Sequence, residues 1–211
     1  MKSLTLFSLA LALAGTGFAQ QWDVGGIGGF GFYKNVTVSG PDGSADAGFK
    51  NGAAAGAFAT QHLYEHLSGQ FRYLYQFDKL KVSSGGAEAT FGGESHAVHY
   101  DLMYMVTGRD AAVRPYLVGG GGVKLYRGTG EQHAVQELIE FAALTHTSQV
   151  KPLVTFGGGV RAKLGAHAAL YIEGRDYLTP FPEKVVAPVP PSKLSGWLHD
   201  FVPLVGLSFS F

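Results

Sequence analysis

Several groups of residues in this chain have the types and spacing to do chemistry. Gly26-Ile-Gly28-Gly29-Phe-Gly31 matches the G-x-G-x-x-G of a dinucleotide-binding loop, whose backbone amides would cradle a pyrophosphate. Glu94, Ser95 and His96, and His146 with Ser148, could supply a nucleophile and its base for lipid or peptide hydrolysis. His62 and His66 stand four apart, the spacing of two metal ligands on one helix face. The charged residues Asp23, Arg72, Asp101, Lys124, Arg161, Glu173, Arg175 and Asp200 fall inside apolar segments, where charges must pair or pay heavily for lost hydration.

Each group requires a particular element beneath it. A dinucleotide loop needs a helix directly after its glycines and an acid about 20 residues on. Instead KNVTVSGPDGSADAG follows, rich in turn formers and without a helical period, so the glycines read as part of a strand. His62 and His66 lie at a predicted short turn, not on a helix, and no other histidine pair has ligand spacing. The serine–histidine sets fall at predicted strand ends, but eight scattered histidines make such neighbours ordinary. The residues therefore point to no cofactor, no metal and no catalytic set.

The front of the chain is separate. Residues 1–19, MKSLTLFSLALALAGTGFA, carry one basic residue, an apolar run from Leu4 to Ala14 and small residues before Ala19. That is the layout of a cleaved secretory signal peptide, leaving residues 20–211 as a single domain. Lys and Arg balance Asp and Glu at 16 each, which offers nucleic acid no basic surface. Cysteine is absent, which excludes thiolate metal sites. No apolar run after the signal peptide is long enough for a membrane helix, so the remaining membrane solution is a closed barrel, whose strands alternate.

Alternation is what the rest shows. In HDFVPLVGLSFSF, Phe201, Pro203, Val205, Leu207, Phe209 and Phe211 share one face, and Asp200, Gly206, Ser208 and Ser210 lie on the other. Pro203 lacks a ladder donor and leaves a bulge open as a reading. In QFRYLYQFDK, Phe71, Tyr73, Tyr75 and Phe77 oppose Gln70, Arg72, Gln76 and Asp78. In HAVHYDLMYM, Tyr100 and Tyr104 oppose His99 and Asp101, and Trp22 shares a face with Val24, Phe30 and Phe32. PYLVGGGGVK and PLVTFGGGVR are near copies whose glycines suit a narrow, crowded interior or a sharp bend of the sheet.

Candidate strands cover 22–33, 52–62, 69–79, 95–106, 114–127, 149–163, 167–178 and 198–211, and the connections between them alternate long and short. The fold class is all-β, an eight-stranded antiparallel up-and-down transmembrane β-barrel. The weak pattern GAAAGAFATQH at 52–62 leaves its faces unassigned, and AVQELIEFAAL in the 131–145 loop has a period that suits a short amphipathic helix. Periodicity alone does not say which face is inside. The alternative orientation is a soluble secreted barrel holding an apolar ligand.

The chain resembles the small outer-membrane β-barrels of the outer membrane protein A type, over the barrel alone. The terminal strand VGLSFSF carries the resemblance most specifically, with GGGGVKLY, GGGVRAKL and IEGRDYLTPF beside it. The resemblance covers no peptidoglycan-binding domain, so no wall-tethering role comes with it. It implies that Val205, Leu207, Phe209 and Phe211 form the recognition signal for the barrel-assembly machinery. With long connections outside and both termini periplasmic, it orients Trp22, Phe71, Tyr73, Tyr75, Phe77, Tyr100, Tyr104 and Phe201 toward outer-membrane lipid. The eight charges named above then face inward as a neutralised network, four bases against four acids. A structural plug is the plain reading of that network, and a narrow ion pathway is the sharper one. The partner of the outer loops is left open.

Overall fold

A computed structural model describes residues 22–40, 43–131, 136–194 and 196–211. The expected signal peptide lies outside the described residues. In chain order the strands are β1 (Trp22–Lys34), β2 (Val36–Gly40), β3 (Gly43–Phe49), β4 (Gly52–His62), β5 (Leu67–Gln76), β6 (Lys79–Ser84) and β7 (Ala87–Met105). They continue as β8 (Val113–Gly128), β9 (Ala142–Leu144), β10 (Ser148–Lys163), β11 (Ala168–Pro180), β12 (Val186–Pro188), β13 (Lys193–Leu194) and β14 (Trp197–Ser210). Among the described residues no helix is long and apolar enough to cross a membrane, which says nothing about crossing by strands.

Strands β1, β4, β5, β7, β8, β10, β11 and β14 pair antiparallel in that order, and β14 returns to β1, so the sheet closes into an eight-stranded barrel. Closure removes every edge among these strands and satisfies their backbone groups within the sheet. One end of the barrel carries short turns at 63–66, 106–112 and 164–167 together with both ends of the described chain, where Trp22 and Phe211 exchange backbone hydrogen bonds of 3.1 and 3.0 Å. The other end carries the long connections.

Alternation sorts the side chains without ambiguity. Asp200, Val202, Leu204, Ser208 and Ser210 of β14 are buried, while Phe201, Val205, Leu207 and Phe209 are exposed on the outer wall. The same holds around the wall for Trp22, Val24, Phe30, Phe71, Tyr73, Tyr100, Tyr104, Val154 and Phe156. Pro203 makes no bulge. The register between β14 and β11 runs unbroken through it, opposite Gly174, and the pairing with β1 lapses at that height, where its missing N–H would have donated. Strand β4 turns Ala54, Phe58, Thr60 and His62 inward, which settles the face that its Ala–Gly sequence leaves open.

The glycine runs have a steric cause. A Cβ on Gly120 would sit 2.2 Å from the Tyr100 carbonyl oxygen and 2.3 Å from an Asp101 carboxylate oxygen. One on Gly159 would lie 2.6 Å from Cβ of Glu173 and 2.8 Å from the Tyr116 hydroxyl. These inward positions are left empty so that long polar side chains from neighbouring strands can fill the bore.

The long connections depart from the loops expected of them. β2, β3 and β6 extend β7 into a sheet ordered β13-β2-β3-β6-β7 beyond the barrel, and β9 pairs with β12. Residues 80–94, expected as a loop, are instead a hairpin turning at Gly85 and Gly86, both at positive φ. The amphipathic helix expected within 131–145 is not what the described part adopts: residues 137–140 form turns, Leu138 has φ 59°, and β9 follows. Helical periodicity lost to tertiary packing there. Phe141, Ala142 and Leu144 are pulled into a core with Val38, Phe49, Leu80, Val82, Tyr126, Phe181, Val186 and Leu198.

Candidate functional site: layered charge inside the barrel

The bore is filled by three polar layers. At the turn end, Asp23 of β1 accepts hydrogen bonds from Arg161 Nε (2.9 Å), the Tyr171 hydroxyl (2.7 Å) and Ser210 Oγ (2.6 Å). His62 Nε2 lies 3.3 Å from the same carboxylate, and His62 Nδ1 is 3.0 Å from Ser68 Oγ.

At mid-height Glu173 of β11 holds both arginines. One carboxylate oxygen accepts from Arg72 Nη1 and, at 3.0 Å, from Arg175 Nε, and the other accepts from the Tyr116 hydroxyl at 2.6 Å. Arg175 Nη1 also pairs with Asp101, whose second oxygen meets His99 Nδ1 at 2.9 Å. Gln70 Oε1 accepts from Arg72 Nη2 (2.7 Å) and Arg175 Nη2 (2.9 Å). The Arg72 guanidinium also lies 5.6 Å from the centroid of the Phe58 ring.

Toward the loop end, Lys124 of β8 spends its three donors on Asp200 (2.7 Å), Gln76 Oε1 (2.6 Å) and the Tyr33 hydroxyl (3.1 Å). Tyr33 in turn donates to Asp78 at 2.7 Å, as Ser95 Oγ does at 2.6 Å. The rings of Tyr33, Tyr126 and Tyr177 surround the ammonium at 5.2 to 5.8 Å.

The structure thus brings the eight charged residues singled out from the sequence into one bore, each base paired with at least one of the acids. The sequence reading left out Asp78 as a further buried acid, and left out the neutral groups Gln70, Gln76, Tyr33, Tyr116 and Tyr171 that complete the layers. Alternation had already placed Gln70, Gln76 and Asp78 on the Arg72 face, so the signal was present although the network drawn from it stopped at eight charges. Of the outward residues, Trp22, Phe71, Tyr73, Tyr100, Tyr104 and Phe201 stand exposed on the wall. Tyr75 is half-buried at the rim, its hydroxyl donating to Glu94 at 2.8 Å, and Phe77 lies just beyond the end of β5.

The hydrolytic sets are not assembled. Ser95 points into the bore toward Asp78, whereas His96 lies outside, with Nδ1 2.8 Å from the Tyr73 hydroxyl. His146 Nδ1 meets the Gly130 carbonyl oxygen at 2.9 Å, and Ser148 is exposed at the start of β10. His66 bonds the Met105 carbonyl at 2.7 Å, while His62 serves Asp23 and Ser68, so the two do not share a ligand position. Among the described residues no cluster of His, Asp and Glu could hold a metal.

A closed barrel of eight antiparallel strands with polar layers inside and an apolar outer wall is the fold of small outer-membrane β-barrels. Among solved structures, the outer membrane protein OprG of Pseudomonas aeruginosa aligns with a TM-score of 0.56 at 13% identity, over 92% of this chain and 96% of that one. Neisserial surface protein A aligns at 0.53 and 12% identity, over 90% and 97%. Outer membrane protein AlkL, solved in lipid bilayers, aligns at 0.51 and 16%, over 93% and 92%. At these identities the likeness is one of fold. No sequence family and no curated protein matches the chain.

Proposed function

We propose that the chain spans a Gram-negative outer membrane as a sealed barrel and presents its folded loop end outward for surface interaction, without catalysis. The observation that carries this reading is that every base of the three layers is paired with a carboxylate, with Glu173 bridging Arg72 and Arg175 and Lys124 using all three of its donors. An open pore needs a continuous path for water and ions along its axis, and such a path through these layers requires their ion pairs to separate. Here rearranging any layer would strand a buried charge, at a cost of several kcal/mol. The outer wall supports lipid contact, because exposed Phe, Leu, Val and Tyr side chains on this scale match hydrocarbon and not water. The loop end supports interaction, because its own apolar core gives it a defined outer surface.

In this reading the short turns and both termini face the periplasm. Val205, Leu207, Phe209 and Phe211, all exposed along the outer face of the last strand, serve the assembly machinery. The test is conductance of the purified full chain in planar bilayers. A baseline indistinguishable from bare lipid is expected, and sustained ohmic current would refute the seal. Fractionation of expressing cells tests location: recovery of the folded chain in soluble extracts would overturn the membrane reading. Deleting Phe211 should lower the amount of assembled barrel in cells, and unchanged assembly would remove its role as a signal.

A further inference from the structure

The turn end of the barrel holds a concentration of positive charge that the plug does not use. A cavity of about 180 Å³ opens there, lined by His62, Arg109, Arg114, Arg161, Lys163 and Ser210 and by small residues of the 164–167 turn and the start of β11. Arg161 is answered by Asp23. The other three cations have no carboxylate within ion-pair distance among the described residues. Arg114 donates to the backbone carbonyls of Thr107 (3.3 Å) and Glu65 (2.6 Å), Arg109 to that of His62 (3.4 Å), and Lys163 to that of Arg109 (2.8 Å). The acids of the neighbouring turns, Glu65 and Asp110, are exposed and pair with none of them.

Arg114 makes the arrangement informative. It is 3% exposed and always charged, and a buried guanidinium with only neutral acceptors is a costly state. Elsewhere in the barrel each buried base has a carboxylate. The chain's formal charge is zero, so three cations gathered at one mouth without a carboxylate in ion-pair distance are not an average property of the protein. Converging cations in a concavity with low-dielectric walls focus their field on an anion. Guanidinium groups match the oxygens of a phosphate in geometry as well as charge. The volume equals that of about six waters at roughly 30 Å³ each, enough for one tetrahedral oxyanion and part of its hydration shell.

We propose that this cavity is a binding site for a phosphate group, held by Arg109, Arg114 and Lys163 with Arg161 behind them. The site rests on the geometry of the turn end and holds whichever side of a membrane that end faces. The phosphate can be free or can belong to a lipid headgroup reaching the rim.

The experiment is calorimetric titration of inorganic phosphate into the full chain, folded in zwitterionic detergent, against chloride at matched ionic strength. Saturable binding of phosphate and none of chloride is expected. Arg109→Gln combined with Lys163→Gln should weaken phosphate at least tenfold, because both side chains are accessible and outside the plug. Unchanged gel mobility with and without boiling would show that the variant folds. Arg114→Gln is a second, less tolerant variant, since Arg114 also braces two turns. Repeating the titration in micelles carrying phosphatidylglycerol separates the sources. Competition by the lipid assigns the site to a headgroup, and no competition assigns it to free phosphate. Phosphate binding no better than chloride, or a double variant that binds like the parent, would overturn the proposal.

Discussion

Glu173→Gln tests the seal at the point where the most charge converges. The substitution keeps the shape of the side chain and one acceptor oxygen but removes the charge shared by Arg72 and Arg175. Arg175 keeps Asp101, whereas Arg72 is left with the neutral oxygen of Gln70. Removing one partner of a buried pair typically costs roughly 3–5 kcal/mol. The Coulomb energy of unit charges gives a similar size, about 4 kcal/mol at ~4 Å and an effective dielectric of about 20. Against a total stability of roughly 5–15 kcal/mol, such a loss should move a urea midpoint well outside error. The assay is equilibrium urea unfolding of the barrel in lipid vesicles, followed by the fluorescence of Trp22 and Trp197. Asp101→Asn is the internal comparison. There Arg175 retains Glu173, so the cost should be smaller, about 1–3 kcal/mol. If Glu173→Gln costs less than about 1 kcal/mol, or no more than Asp101→Asn, water reaches the middle layer and the case for a sealed bore fails.

Gly120→Ala should destabilise by roughly 1–3 kcal/mol, since its Cβ would overlap Asp101 and the Tyr100 carbonyl, while Gly119→Ala, with nothing closer than 3.8 Å, should be nearly silent in the same unfolding assay. Phe156→Arg, on the outer wall midway along β10, should cost about 2–4 kcal/mol in vesicles, and Tyr75→Arg, at the rim beside Glu94, only about 0–1 kcal/mol. Equal losses would mean that the apolar belt is misplaced. In the sheet beyond the barrel, hydrogen bonds from Lys50 (2.6 Å) and Lys81 (3.0 Å) hold Glu88 below the usual carboxylate range. A lowered native pKa means that this pairing helps stability above the unfolded-state pKa and is lost as pH falls through the native one. Carboxyl NMR titration should show the Glu88 midpoint rising in Lys50→Met, and an unmoved midpoint would dismiss the pairing in solution.

The barrel strands were legible because each carries large outward residues against polar inward ones, and a period of two survives small errors at the ends. Strand β4 was illegible in its facing because alanine and glycine do not differ enough to mark two sides. Phe58 decides it, by packing inward against Tyr171 and Arg72. The loop-end sheet was overlooked for a different reason. Val36 and Val38, then Ala45 and Ala47, do alternate, but the glycines, Pro41 and aspartates around them are equally the residues of irregular loops. Only the cap core, built from distant segments, makes those short strands worth forming. The charged layers were visible as inward positions, but their pairings were not, because Asp23 and Arg161 meet only when the barrel closes. Of the turn-end cations, Arg161 was read from its strand, whereas Arg109, Arg114 and Lys163 were missed because they sit in or beside turns, where alternation says least.

The cap core changes how the protein would behave as a display scaffold. Loops of barrels are natural places to graft foreign peptides when each loop is an independent tether. Here they are not independent: Val38, Leu80, Phe141, Phe181 and Leu198 come from different connections and strands and pack together. A graft into the β2–β3 hairpin or near β9 would therefore pull on its neighbours. The tip at Gly85 and Gly86 is different, since nothing lies within 4 Å of where their side chains would project. An inserted epitope should be tolerated there, held away from the barrel at the end of its longest strand.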